Sequence, residues 1–335
     1  MKLGAWAVRL VRRLLGLLLS MLVLITVVFW VSRLAPGDPL AAYYGQRAER
    51  LTPDQRARAE ERLGLNDPIP VQYARWWENA LRGDFGISYQ YRMDVVEVIA
   101  GRAGNTLALG GTGFALIFIL SPLLGVLCAW REGGPLDRAL CRAGTLVSCL
   151  PEFWLALAAV LVFSAGLGWL PSSGAYSIGG GGAGDRIAHL ILPLSVVVAG
   201  HLWYYAYMVR NRVLEEVRAD YVLLARAKGL GRGTVLLRHC LRCALPSYLS
   251  LMAVSLPHIL GGAYVVEMVF SYPGLGTLAY ESARYQDYNL LMLLCIFSGA
   301  VVILCNLLSQ IVSERLDPRL RPEEPVTGEE AARHE

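Results

Sequence analysis

The sequence predicts an all-α polytopic membrane protein, with six transmembrane helices and the N and C termini cytoplasmic. Three observations set that class. The 335-residue chain is 55% hydrophobic and only 17% charged, a balance outside the range of ordinary soluble domains. Its charges fall between long apolar runs, not within them. Arg and Lys gather on alternate short loops, the mark of cytoplasmic loops in membrane proteins. The formal net charge of +4 says little alone, and nothing in its placement points to nucleic acid.

In chain order, Lys2, Arg9, Arg12 and Arg13 precede an apolar run over 14–31. A secretory signal begins the same way. The run is long for one, however, and Arg33 and Pro36 stand where small cleavage-site residues belong, so we read a retained first span. Residues 32–104 form a long polar segment opened by the APGDP break (35–39). Within it an amphipathic helix is predicted over 53–63, with Thr52 as N-cap and Gly64 closing it. A second helix over 71–81 carries Tyr73, Trp76 and Trp77, aromatics suited to a membrane interface.

The second span covers 105–130 and the basic loop 131–142 is cytoplasmic. The third span, 143–163, is broken near its start by Pro151. The nearly uncharged loop 166–185 lies outside, the fourth span is 189–209, and 210–242 is densely basic. Spans five (247–270) and six (289–312) follow, separated by an outer loop, and 313–335 is a cytoplasmic tail. As domains, the chain divides into 1–32, an extracytoplasmic 33–104, a core 105–312 holding a cytoplasmic loop 210–246, and the tail 313–335.

That loop organises the reading. DYVLLARAKGLGRGTVLLRHCLRCALP (220–246) opens as a short helix whose last turn carries Arg226 and Lys228, favourable beside the negative end of the helix dipole. Gly229, Gly231 and Gly233 then interrupt it. Thr234 is placed to cap a second helix over 235–245, which Pro246 ends or kinks. Arg238 and Arg242 share one face of it. The bland reading is an interhelical loop, basic because it is cytoplasmic; the sharper one is a knob to be gripped by another protein.

The stretch resembles the cytoplasmic coupling loop, or EAA loop, of ABC-importer permeases, with the ARAKGL wording of the dipeptide, oligopeptide and nickel branch. Gly229 matches the most characteristic position and Ala225 the final alanine; Leu223 and Leu224 stand where the general pattern has Glu and Ala. Other segments resemble the same family in the same order: SRLAPGDP (32–39), LGLNDPIPVQYARWW (63–77), LRGDFGIS (81–88), PEFWLAL (151–157), LGWLP (167–171), VVEMVFSYPGLG (265–276) and LDPR (316–319). The long outer segment after span one fits the first of the two paired permeases.

The resemblance implies an ABC type I importer permease fold, with Ala225, Arg226, Ala227, Lys228, Gly229 and Leu230 as the contact for an ATPase. It further implies a second homologous permease, two ATP-binding subunits that carry the ATP-Mg, and an extracytoplasmic substrate-binding protein. The implied cargo is di- or oligopeptides, with nickel or a metal chelate as the alternative. A stand-alone secondary transporter and a membrane scaffold remain as rivals from other classes.

The residues themselves offer no catalytic set. There is no GxxxxGK[ST] phosphate loop, and the glycine run 179–184 has no following lysine, so the chain is expected to bind no cofactor and hydrolyse nothing. His189, His201, His239, His258 and His334 show no metal-ligand spacing. Seven cysteines lie in spans or in loops placed inside, so no disulfide is predicted; the Cys240–Cys243 pair reads as helix packing.

Two ionisable residues in span five are candidates for the pathway, because charge at membrane depth is costly and usually functional. His258 follows Pro257 near mid-span, and either lines the path or satisfies a carbonyl freed by the proline. Glu267 lies near the outer end; we favour a hydrogen-bonded role against a neighbouring span or the 272–276 loop. Glu152 and His201 are further ionisable residues in spans three and four. The Trp203, Tyr204, Tyr205 and Tyr207 cluster either lines a peptide or chelate passage or packs between spans, and we favour packing.

Overall fold

The computed structural model describes residues 2–34, 39–44, 48, 50–62 and 64–316. Residues 35–38 of the APGDP break and the tail from 317 on, with His334, lie outside the described residues. Those described are helical apart from loops and one isolated β-bridge between Ile87 and Asp94. The helices are α1 (Lys2–Leu34), α2 (Pro39–Tyr44), α3 (Pro53–Arg62), α4 (Ile69–Leu81), α5 (Val95–Trp130) and α6 (Pro135–Cys149). They continue with α7 (Glu152–Gly166), α8 (Ala183–Val217), α9 (Asp220–Ala227), α10 (232–269), α11 (Leu275–Arg284) and α12 (Tyr288–Leu316).

Among the described residues α1, α5, α8 and α12 are long and apolar enough to cross a membrane. The pair α6–α7, bent by 101° at Leu150 and Pro151, makes a fifth where it acts as one span.

The core sits where α5, α8 and α10 meet, with Leu109, Ile117, Val196, Val197, Met252 and Ile259 buried together. Close approach there depends on small residues, as is usual between membrane helices. A Cβ on Gly125 would stand 2.7 Å from the Ala206 carbonyl and 2.8 Å from Val209, so α5 and α8 touch backbone to side chain at that point. One buried polar link crosses the same core: the Ser121 and Tyr248 hydroxyls are 2.8 Å apart, and Tyr248 donates to the Phe118 carbonyl at 2.7 Å.

Local signals explain the outer segment. Thr52 and Gln55 cap α3 reciprocally, each side chain accepting from the other's backbone N–H. Gly64, at φ +67°, closes that helix. Helix α4 lies against the end of α1: Thr26 and Tyr73 hydroxyls are 2.7 Å apart, and Tyr73 packs on Phe29.

The turn before α5 docks on the far end of the chain. Asp287, fully buried, accepts from Ser88 Oγ and from the Gln90 N–H, and Tyr91 donates to Glu281 at 2.7 Å. Burial, with that hydrogen bond, pushes the Tyr91 phenol up to about 12, so it stays a neutral donor.

Several local expectations change. Helix α5 begins ten residues before the expected span, because Asp94 caps it through the Val96 N–H. Thr234 makes no side-chain cap; Gly231 stands at the N-cap and the helix already runs through Thr234. Nor does Pro246 end the second helix, since α10 continues past it to Val269. The proline removes one in-helix bond, a cost outweighed where the same helix is buried on both sides of it, at Ala244 and Tyr248.

Candidate functional site

The basic loop folds into an elbow fixed on one side and bare on the other. Val222 and Ala225, three apart on α9, are buried in the main core with Val213, Leu214, Val235 and Leu236. Tyr221 donates to Glu216 at 2.8 Å, and Arg218 reaches Glu132 across the bundle at 2.8 Å.

The helix then ends in a Schellman turn, in which the Gly229 N–H bonds to the Arg226 carbonyl and the Leu230 N–H to that of Ala225. Gly229 takes φ +78° with nothing within 4 Å of where a Cβ would be. Glycine is therefore required by its backbone angle, not by crowding. Gly231 and Gly233 do not share that conformation; Gly233 instead lies against Trp130.

The outward face is apolar and basic together. Leu223 and Leu224 are 65% and 58% exposed, and Arg226, Ala227, Lys228 and Leu230 are exposed beside them. Two bulky leucines are thus held in the open on a helix whose opposite face is buried.

A buried ion pair anchors the helices around this elbow. Arg210 on α8 donates from Nε and Nη2 to the two oxygens of Asp137 on α6, at 2.6 and 2.7 Å, and the Gly133 N–H adds a third bond to that carboxylate. A bidentate fork of this kind fixes angle as well as distance. Sequence reading missed it, since 73 residues separate the partners. The one local clue is an acidic residue in the first turn of a helix opened by Pro135.

Deeper in the bundle three ionisable side chains from three helices converge. Glu152 opens α7 immediately after Pro151, where a carboxylate suits the helix dipole. Its Oε1 lies 3.3 Å from Nδ1 of His201 on α8, and the His201 and His258 rings meet edge to face at 5.9 Å. A Cβ on Gly200 would come within 3.0 Å of the Glu152 carboxylate, so glycine makes the room. His258 is exposed on the chain's surface.

Glu267 takes no part in that cluster. It is wholly buried and accepts from Thr106 Oγ1 at 2.7 Å, and from the N–H groups of Gly276 and Thr277 at 2.8 and 3.2 Å. It thereby closes the N-terminus of α11. Nine residues on from His258 it also lies on the opposite side of α10, at 100° of turn per residue.

Among the aromatics, Tyr205 is buried in the core. Trp203, Tyr204 and Tyr207 instead line a cavity of about 430 Å³ between α5, α6 and α8. The expectation of packing between spans therefore holds for Tyr205 and for Trp203, which lies against Gly144 of α6, while Tyr204 and Tyr207 are exposed along the cavity.

Residues 121–322, which include the elbow and the polar cluster, match the family described as binding-protein-dependent transport system inner membrane component. Residues 8–110 match its N-terminal companion. The chain belongs to this family.

It is accordingly a multi-pass protein of the inner membrane and a transporter component, not an enzyme. Relatives of this permease include the oligopeptide transport system permease protein AppB of Bacillus subtilis, 34% identical over 87% of this chain and 92% of that one. The oligopeptide transport system permease protein OppB of Haemophilus influenzae is 32% identical over 92% and 98%. A probable peptide ABC transporter permease protein, y4tP of Sinorhizobium fredii, is 32% identical over 94% and 99%.

In fold, the permease resembles a chain of the inward-facing MetNI methionine ABC transporter. The TM-score is 0.55 at 16% identity, over 66% of this chain and 97% of that one.

Proposed function

We propose that this chain is the membrane-spanning permease subunit of an ATP-driven importer, translocating di- or oligopeptides delivered by an extracytoplasmic binding protein. The observation that carries it is the elbow: Leu223, Leu224 and Leu230 stand exposed beside Arg226 and Lys228, while Val222 and Ala225 lock the same helix into the core. A force on the exposed face is thereby passed to α8 and α10.

The partners on this reading are a second homologous permease, two ATP-binding subunits docked at the elbows, and the binding protein. On this reading the 29-residue helix Leu241–Val269 counts as a sixth span beside the four apolar helices and the bent pair; an even number leaves both termini on one side, and the basic N-terminus assigns that side to the cytoplasm. Peptide as cargo rests on the names of the relatives, AppB and OppB. His258 lines the passage: an imidazole bared on a spanning helix is costly against lipid and acceptable against water or a polar cargo.

One observation favours the metal-chelate reading as a second: His201 and His258 are neighbours in space. Among the described residues no group of three His, Cys, Asp or Glu side chains could hold a metal. A metal would therefore have to arrive with ligands of its own.

The test is a mild-detergent pull-down of the chain from its native membrane, followed by uptake assays with labelled peptide and with nickel. Recovery of a second permease and a P-loop ATPase, with peptide uptake lost when the ATPase is removed, supports the proposal. A lone chain through several detergents, or uptake indifferent to the ATPase, turns the reading to a secondary transporter.

A further inference from the structure

Helix α5 carries a proline within its span. Pro122 has no N–H, so it cannot make the in-helix bond to the Phe118 carbonyl four residues before it. A carbonyl left unbonded in an apolar core is costly, and in membrane bundles a neighbouring group commonly meets it. Here that group comes from another helix: the Tyr248 hydroxyl on α10 donates to the Phe118 carbonyl at 2.7 Å.

The surroundings hold that bond in place. A phenol has one hydrogen to give. With it spent on Phe118, Tyr248 accepts from the hydroxyl of Ser121, 2.8 Å away and one residue before the proline. Ser121 and Tyr248 are both buried. The Tyr248 ring stacks on that of Phe118 at 5.7 Å, and Phe118 on Phe114 at 6.1 Å. Ring and hydroxyl therefore grip the same turn of α5.

Tyr248 also lies on a buried ridge that begins at the elbow. Leu236, Cys240, Ala244, Tyr248 and Met252 recur every four residues along α10, and all five are buried in the main core. At the start of the ridge, Val235 and Leu236 share that core with Val222 and Ala225 of the elbow helix. From Leu236 to Tyr248 is about 18 Å along the helix. A displacement of the elbow is thereby carried to α5 at a turn whose own backbone bonding is incomplete.

We propose that Tyr248 is a positioning residue for transport: its hydroxyl replaces the backbone bond that Pro122 removes, and so ties the ridge of α10 to α5. The inference rests on the reading of the elbow as the ATPase contact.

The test follows uptake of labelled trialanine by cells carrying the full-length chain. Membrane level, ATPase co-purification and melting temperature in detergent are measured alongside. Tyr248→Phe keeps the stacked ring and removes only the hydroxyl. It is expected to lower the melting temperature and to cut uptake about fivefold, the worth of one hydrogen bond, with the ATPase still attached.

Pro122→Ala gives position 122 an N–H for the Phe118 carbonyl. Added to Tyr248→Phe it should restore the melting temperature, which also covers the case in which Tyr248→Phe alone fails to fold. Uptake by the double variant should nevertheless stay below that of Pro122→Ala alone, because the bond between the two helices is still missing.

Uptake that recovers together with the melting temperature makes Tyr248 merely structural and overturns the proposal. Undiminished uptake in Tyr248→Phe does the same. In the unmodified chain, absent uptake, or uptake indifferent to removal of the ATPase, overturns the proposed function first and this inference with it.

Discussion

Nδ1 of His201 lies 3.3 Å from Oε1 of Glu152 and 3.1 Å from the carbonyl oxygen of Val197. Both neighbours are acceptors, so Nδ1 carries the hydrogen, and Nε2 remains for another partner. A carboxylate behind a histidine holds its tautomer and orientation.

On that basis Glu152→Gln keeps the shape of the side chain but removes the charge that faces the His201 ring. A loss of about 1 kcal/mol, or roughly fivefold, is expected in initial uptake rate at unchanged membrane level. His258→Leu should likewise alter uptake kinetics. Rates equal to wild type in both variants would make the cluster purely structural.

At the elbow, the open space around Gly229 separates two explanations that the sequence alone merges. Gly229→Val should lose coupling, since a β-branched residue at φ +78° is strained by about 1–2 kcal/mol. Gly229→Asn, similar in size but tolerant of that angle, should retain most uptake. Equal failure of the two would show that a partner fills the space. Gly229→Trp should abolish transport while the protein stays in the membrane.

The bare leucines make a separate prediction. Leu224→Asp places a charge on a side chain 58% exposed, so membrane level should hold. Co-purification of the ATPase should fall by at least about tenfold if the side chain is buried in that contact. Undiminished co-purification places the ATPase elsewhere.

The Asp137–Arg210 fork is a matter of stability. Asp137 is 2% exposed, and Asp137→Ala takes both charged bonds from the Arg210 guanidinium and leaves it the Asn211 amide oxygen at 3.3 Å, a change that costs about 3 kcal/mol. Thermal scans in detergent should show a clear drop in melting temperature. The double variant Asp137→Leu with Arg210→Met should recover much of it, because removing both charges also removes the desolvation cost. A double variant no better than the single one would count against the pair as the cause.

Glu267 offers a last case. Glu267→Ala removes the acceptor of Thr106 Oγ1 and of two backbone N–H groups at the start of α11, for about 3 kcal/mol or more. Proteolysis should then cut faster in the 270–275 turn. Unchanged cleavage would mean that the turn holds without the carboxylate.

What the sequence determined by itself was local. Apolar runs and loop charge show where the helices lie, since both signals are carried by consecutive residues. Thr52 and Gly64 mark the ends of α3 for the same reason. The motif order, from SRLAPGDP to LDPR, carries the family, and the ARAKGL wording locates the elbow within it.

Tertiary structure decided the rest, because it depends on what lies across the bundle. Pro246 reads as a stop, yet α10 runs through it. Gly229, Gly231 and Gly233 read alike as helix breakers, yet of the three only Gly229 takes the left-handed angle that requires glycine. His258 and Glu267 read as a pair on one helix, but the turn of α10 sends Glu267 to Thr106 and the 272–276 loop. His258 meets His201 instead, 57 positions earlier in the chain, with Glu152 beyond it. Energies of ion pairs and of close helix contacts follow distance in space, and sequence separation does not record it.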